Sequence, residues 1–199
     1  MTTAPLAATP IATTPLAEAE QAISVIVLAF DTDPLARWIF PHAHTYLARS
    51  PVGMRAFGGR AFAAGTAHHV EGFQGAALWL PPGAEPDEET LMAEFERHVP
   101  GERLADLLGL FERMGSVHPQ EPHWYLPLIG VDPAHQRKGL GSALLRHALE
   151  IIDRDRLPAY LESSNPLNIP LYHRHGFELL DTLQVGSSPP VFPMLRRAQ

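Results

Sequence analysis

The run Gln136-Arg137-Lys138-Gly139-Leu140-Gly141, with Ser142 behind it, has the composition of an anion holder. Two cations supply charge, and two glycines remove the side chains that would keep a phosphate at a distance. The run is preceded by Trp124-Tyr125-Leu126-Pro127-Leu128-Ile129-Gly130-Val131, which has the length and apolar, aromatic-rich character of a buried strand. Asp132-Pro133 then forces a turn. Beyond it, Leu140, Ala143, Leu144, Ala148, Ile151 and Ile152 recur at the spacing of one helical face, so a helix begins inside the hexapeptide. A helix start presents unpaired amides and the positive end of the macrodipole. Strand, basic glycine loop and helix in series therefore make a cradle for a phosphate or diphosphate.

Other residues that could do chemistry lie further along the same half. Glu162 ends an apolar segment, 157–162, that reads as a second buried strand; its carboxylate could take a proton or simply cap the next turn. Asn165-Pro166 starts a short helix running to about His175, with Gly176 as its C-cap, and Asn168 and Tyr172 lie on it. Tyr172 could donate a proton or be a packed aromatic. Glu121 and His123 stand just before the central strand. Among the eleven histidines, the pairs His42/His44, His68/His69 and His173/His175 bring no accompanying carboxylate or thiolate set, so no metal site is expected.

The elements that must position these groups read as follows. The first residues, rich in Thr, Ala and Pro, are expected to fray, with a short strand near 8–12. Thr14-Pro15 caps a helix over 15–30 that buries Ile23, Ile26, Val27 and Phe30. Asp33-Pro34 starts a short helix that Pro41 closes, and Ser50-Pro51 starts a third carrying Met54, Phe57 and Ala61. Residues 68–70 and 75–80 read as paired strands. Two acidic helices follow, broken at Pro100-Gly101, with Glu94, Glu96, Glu102, Asp106 and Glu112 on solvated faces. Strands over 177–184 and 191–196 close the chain.

Composition sets outer limits. With 199 residues, 45% hydrophobic and 19% charged, the chain has the make-up of one globular domain. A net charge of −7 argues against a general nucleic-acid binder. The absence of cysteine excludes disulfides, thiolate metal sites and a cysteine-bound covalent intermediate. The most apolar N-terminal run, 23–30, is too short to span a bilayer, so a cytoplasmic protein without a membrane partner is expected.

Two familiar phosphate motifs fail on the loop. A dinucleotide fingerprint needs a third small residue where Leu144 stands and a tighter turn after the strand, although Glu162 sits near the ribose-binding distance. A P-loop needs Gly-Lys-Ser/Thr, which is missing. Gln136-x-x-Gly139-x-Gly141 between a strand and a helix instead resembles the pyrophosphate loop of the GNAT superfamily of acetyl-CoA-dependent N-acetyltransferases. Asn165, Asn168, Tyr172 and Gly176-Phe177 follow in that superfamily's order. Locally the chain is most similar to puromycin N-acetyltransferases, through Glu121-Pro122-x-Trp124, Gly130-Val131-x-Pro133-x-His135-Gln136-x-Lys138-Gly139-Leu140-Gly141-Ser142-Ala143, Pro158-Ala159-x-Leu161-Glu162 and Asn168-x-Pro170-x-Tyr172. The likeness covers roughly 120–180 and departs at Arg137, where relatives carry glycine.

The resemblance implies an α/β (α+β) GNAT fold: a mixed central sheet of six to seven strands with a splayed parallel pair and helices on both faces. Residues 1–120 would supply the acceptor side and 121–199 the acetyl-CoA core of one domain. Ile129, Gly130 and Val131 would bond the pantetheine arm, the amides of residues 136–142 its diphosphate, and Asn168 its end. Arg137 and Lys138 would neutralise phosphate. Tyr172 would protonate the leaving thiolate, a backbone N–H near Val131 would steady the oxyanion, and Glu162 would be the base, with Glu121 or His123 as substitutes. Acetyl-CoA would be the co-substrate, without metal, and the acceptor a small-molecule primary amine; relatives are monomers or dimers. An acyl-CoA-binding sensor and a dinucleotide-dependent oxidoreductase are the competing readings.

Overall fold

The computed structural model describes residues 10–199; the fraying expected of the first residues, and the start of the strand near residue 8, lie outside them. In chain order the elements are β1 (Ile11–Thr13), α1 (Ala19–Ala29), α2 (Pro34–Ile39), α3 (Ala43–Gly58), α4 (Arg60–Ala64), β2 (Ala67–Val70), β3 (Gly75–Leu80), α5 (Glu88–His98), α6 (Gly101–Val117), β4 (Trp124–Val131), α7 (Leu140–Asp155), β5 (Ala159–Ser163), α8 (Ile169–Arg174), β6 (Glu178–Leu179) and β7 (Phe192–Arg196). The strands form one sheet in the order β1-β2-β3-β4-β5-β7-β6. Every pairing is antiparallel except β4 with β5.

The parallel pair defines the molecule's centre. It is in register at Trp124 with Ala159 and Tyr125 with Tyr160, and there the ladder stops. At the same level β4 slips against β3: Leu78 pairs with Leu128 but Leu80 with Tyr125, so β4 carries one extra residue in a bulge at Leu126-Pro127. Pro127 has no N–H to give to a neighbouring strand, and a proline inside a central strand is tolerated only at such an irregularity. The two strands part beyond the bulge, as the fold class implied.

Successive residues of the central strands divide between two cores, as alternation across a pleated sheet requires. Leu78, Leu80, Tyr125, Leu128 and Tyr160 join α1, α3, α5 and α6 on one face. Ala77, Trp79, Trp124, Leu126, Ala159 and Leu161 join α7 and Tyr172 on the other. Helix α1 crosses β4 so closely that a Cβ on Gly130 would lie 2.7 Å from the Ala29 Cβ. The glycine is a packing requirement there, since its backbone needs no special conformation.

Four expectations are corrected. The third helix begins at Ala43, not Ser50, with Pro51 inside it. The turns before Pro51 are held by tertiary contacts that no local signal reveals, chiefly the buried Tyr46, whose hydroxyl donates to the Val27 carbonyl at 2.5 Å. Thr14 is not a cap: its N–H donates to Ala67 O at 2.8 Å and its hydroxyl meets His69 Nδ1 at 2.9 Å, so α1 starts later, after a 3-10 turn at Leu16–Glu18. Residues 177–184 supply only the short β6 and a bridge from Leu183 to Val191, and between them the Thr182 amide goes to the Asp181 side chain at 2.7 Å rather than to a neighbouring strand. Ile151 lies at the edge of the α7 stripe, 36% exposed, while Leu145 and Leu149 are buried.

Replacing Gly130 with alanine forces the α1–β4 contact apart and is expected to cost about 1–3 kcal/mol. Urea unfolding checks this through a lower midpoint at an unchanged m-value.

Candidate active site

Past the last β4–β5 pair the sheet opens into three connected spaces. A cleft of about 480 Å³ lies over the C-terminal end of β4, an apolar chamber of about 150 Å³ fills the fork between the strands, and a wider cleft of about 860 Å³ opens beyond the other side. Tyr172, Asn168, Ile129, Phe30 and Asp33 line both the first and the second. Glu162 lines the second and the third.

The first cleft is built by the glycine loop. Its walls include Ile129, Gly130, Val131, Gln136, Arg137, Gly139, Leu140, Gly141, Ser142, Asn168 and Tyr172. The loop is locally determined. Asp132 Oδ1 accepts the Ala134 amide at 2.8 Å, and Gln136 Nε2 donates to the Val131 carbonyl at 3.2 Å, tying the loop to the strand end. Gly139 takes φ +85°, the left-handed conformation in which glycine is unpenalised. The first α7 bond runs from Ala143 N–H to Gly139 O, 3.0 Å, so the amides of Leu140, Gly141 and Ser142 have no helical partner. Lys138 is absent from this wall; its ammonium donates to the Ala134 carbonyl at 3.1 Å. Arg137 lines the cleft with φ +59°, a left-handed residue where the resembling loops carry glycine.

In the central chamber Tyr172 is buried, edge-on to Phe177 with ring centroids 6.1 Å apart. Burial, with a smaller push from the nearby Asp33 carboxylate, holds its hydroxyl well above the ordinary phenol range, so it stays protonated at neutral pH. Asp33 is itself buried: one oxygen caps α2 through the Ala36 amide at 3.0 Å and the other accepts from Ser164 Oγ at 2.7 Å. Burial raises its own pKa against those bonds. Its place beside Tyr172 was not foreseen, because in the sequence Asp33-Pro34 carries only a helix-start signal. Asn165, by contrast, is a cap, accepting the Leu167 amide at 3.0 Å.

The Glu162 side chain is 5% exposed. Tyr125 and Tyr160 flank it; burial first, and then the carboxylate's charge, keep both phenols far above their usual pKa. The Tyr160 hydroxyl makes no hydrogen bond of good geometry, although it lies beside the Glu162 carboxylate. His118, from the end of α6, brings Nδ1 to 3.5 Å from Glu162 Oε1. Its Nε2 meets His123 Nε2 at 2.9 Å, and His123 Nδ1 donates to the Glu121 carbonyl at 2.8 Å. Sequence reasoning placed Glu121 and His123 near the base but missed His118, whose sequence signal is only its spacing from His123. The wide cleft is lined by Glu85, Glu88, Glu121 and Glu162, the rings of Phe57, Phe111 and Tyr125, and no lysine or arginine. Asp106, expected on a solvated face, accepts both the amide and the hydroxyl of Ser187 at 2.8 Å and so pins the loop before β7 to α6.

Among the described residues no group of three or more His, Cys, Asp or Glu side chains is arranged to hold a metal ion, and no helix is long and apolar enough to cross a membrane.

Residues 72–177 match the model of the acetyltransferase (GNAT) family. An uncharacterized N-acetyltransferase of Schizosaccharomyces pombe is 29% identical over 120 residues, 54% of this chain and 49% of the yeast protein, so the match spans about half that relative's length. Among solved structures, a histone acetyltransferase HPA2 and related acetyltransferase from Corynebacterium glutamicum superposes with a TM-score of 0.66 at 23% identity, covering 95% of this chain and 96% of the other. A Drosophila melanogaster polyamine N-acetyltransferase that forms N-acetylagmatine does so with a TM-score of 0.66 at 17% identity, covering 94% and 99%. At these identities the likeness is one of fold.

Arg137→Gly relieves a left-handed conformation that costs a side-chain-bearing residue about 1–2 kcal/mol, offset in part by the freer unfolded chain. The melting temperature is expected to hold or rise, while coenzyme A affinity falls by up to about fivefold at low salt through loss of one exposed charge. Thermal unfolding and titration calorimetry read the two effects separately.

Proposed function

Because the chain belongs to the GNAT acetyltransferase family, we propose that it is an N-acetyltransferase that moves an acetyl group from acetyl-CoA directly to the primary amine of a small molecule. One observation carries this reading: the fork between β4 and β5 joins an amide-lined cleft, a chamber holding a protonated phenol, and an acidic cleft ending on a buried carboxylate. The residues present suit the co-substrate. The unpartnered amides at the start of α7, with Arg137, fit a diphosphate, and Lys138 lies close enough in sequence to serve the remaining phosphate. The free edge of β4 at Ile129–Val131 fits an extended amide-bearing arm, and Asn168 stands where that arm would end.

Bound acetyl-CoA supplies an activated acyl group and a thiol leaving group. The chain's own groups manage protons and orientation. Glu162 takes a proton from the amine nitrogen, leaving its lone pair free to attack. An amide near Val131 steadies charge on the carbonyl oxygen. Tyr172, kept neutral by burial and Asp33, gives its proton to the departing sulfur, and the second proton shed by the acylated nitrogen restores the phenol. Holding the two substrates together in the fork supplies a further large share of the rate. With no cysteine in the sequence, direct transfer is the route available.

Four carboxylates without a lysine or arginine make the wide cleft favour a cationic amine. The Drosophila structural neighbour, a polyamine N-acetyltransferase, acts on acceptors of that charge. The local likeness to puromycin N-acetyltransferases adds an aminonucleoside to the candidates. We read residues 1–120 as the acceptor side and 121–199 as the coenzyme core of one domain, active as a monomer or homodimer in the cytoplasm, without nucleic acid or membrane.

Release of free thiol from acetyl-CoA, followed across a panel of diamines, arylalkylamines and aminonucleosides, is expected with at least one acceptor. Tyr172→Phe is expected to lower kcat by about 10²–10⁴-fold while coenzyme A binding is retained. Wild-type protein that binds coenzyme A yet acetylates no amine points instead to an acyl-CoA-binding module, in which Tyr172→Phe changes nothing.

A further inference from the structure

Two imidazoles stand behind the carboxylate assigned to the amine, and their hydrogen bonds fix where the protons lie. The Glu121 carbonyl can only accept, so His123 carries its proton on Nδ1. A neutral His123 then has a bare Nε2, and the facing His118 Nε2, 2.9 Å away, must donate. A neutral His118 so arranged has a bare Nδ1, which looks at Glu162 Oε1 across 3.5 Å. Two acceptors face each other with no proton between them. With both rings neutral and Glu162 ionised, the cluster is one proton short of a complete hydrogen-bond chain.

We propose that His118 and Glu162 act as one base: the proton taken from the amine comes to rest between Glu162 Oε1 and His118 Nδ1, and His123 is the positioning residue that holds His118 in the tautomer able to receive it. This rests on the acetyl-transfer reading. One N–H bond of the acceptor ammonium breaks, its electron pair stays on nitrogen, and the cluster goes from a charge of −1 to zero. The pairing answers a chemical difficulty. A carboxylate alone is a poor base for an amine, and an imidazole beside it gives the proton a second place to rest. Both Glu162 and His118 line the acceptor cleft, so the proton's destination is open to the incoming amine.

His123 is pushed below its ordinary pKa chiefly by burial, which keeps it a single-proton ring. His118 packs against the Tyr125 ring at 5.0 Å and the Tyr160 ring at 4.6 Å, and both phenols stay protonated. The charged groups around it are Glu162 and Glu121, with Glu85 and Glu88 across the same cleft. The direct contact of the two Nε2 atoms leaves no room for an ion between them.

The test needs no substrate at first. In the full chain labelled with nitrogen-15 histidine, His123 is expected as the Nδ1–H tautomer. Glu162→Gln, whose amide NH2 can donate to a bare His118 Nδ1, is expected to move the His118 Nδ1 nitrogen-15 signal. An unmoved signal overturns the pairing. With an accepted amine, His118→Ala is expected to move the acid limb of the kcat/KM profile to lower pH and to reduce kcat at neutral pH by about tenfold or more, with coenzyme A affinity unchanged. His123→Ala shifts the limb the same way, and His123→Gln, which restores an acceptor for His118 Nε2–H, brings it back. An acid limb that stays put in His118→Ala overturns the proposal. Turnover without linkage between the two groups removes the paired base and leaves acetyl transfer standing; linkage without turnover on any amine removes acetyl transfer and, with it, the base's role.

Discussion

The parting of β4 from β5 is the constraint on which the rest of the structure depends. Two parallel strands at the centre of a sheet would ordinarily pair along their whole length, because buried amides and carbonyls left unpaired are expensive. Here the ladder ends after Tyr125–Tyr160, at the level where β4 bulges and Pro127 withholds a donor. The strands beyond it stay in place because each is held by its outer neighbour, β4 by β3 and β5 by β7. The unpaired inner edges become walls, and a gap that would be a defect in a storage or binding sandwich becomes a passage running through the sheet.

The passage is graded in polarity from end to end. The α7 end offers amides, the dipole of a 16-residue helix and the Arg137 cation. The middle is largely apolar, and the Tyr172 phenol in it is held above the ordinary phenol range by burial before any charge acts on it. The far end carries four carboxylates beside His118 and His123. In the proposed reaction an anionic carrier and a cationic acceptor would enter from opposite sides and meet where water is scarce, which would strengthen each electrostatic contact made there.

Asp33 shows how one side chain ties the layers together. It caps α2, receives the Ser164 hydroxyl from just beyond β5, and faces Tyr172 on α8. The helices before β4 and the core after it are in this way joined at the chamber wall, so a change in either half is felt at the phenol.

Most of what was legible in the sequence is local in origin. The β4 strand, the turn at Asp132-Pro133, the start of α7 at Leu140, the Asn165 cap and the Gly176 stop follow from contacts within a few residues, and the chain forms them where the residue types indicate. The family likeness, carried by the same stretch, gave the splayed pair. The long third helix escaped notice because the Tyr46 hydroxyl bonds a carbonyl 19 residues away, and 177–184 promised more strand than the chain forms there.

By itself the sequence determined a basic glycine loop between a strand and a helix, an acidic chain without cysteine, and an aromatic and carboxylate order matching one family of acyl transfer folds. Only the tertiary structure decided that His118 would reach Glu162, that Asp33 would sit by Tyr172, and that Arg137 would occupy a left-handed position. The physical reason is separation along the chain. Backbone hydrogen bonds and φ preferences act over three or four residues and leave a mark in the local pattern. The Ser164–Asp33 contact closes a loop of 131 residues, and nothing in the order of the intervening side chains encodes which buried polar groups will meet.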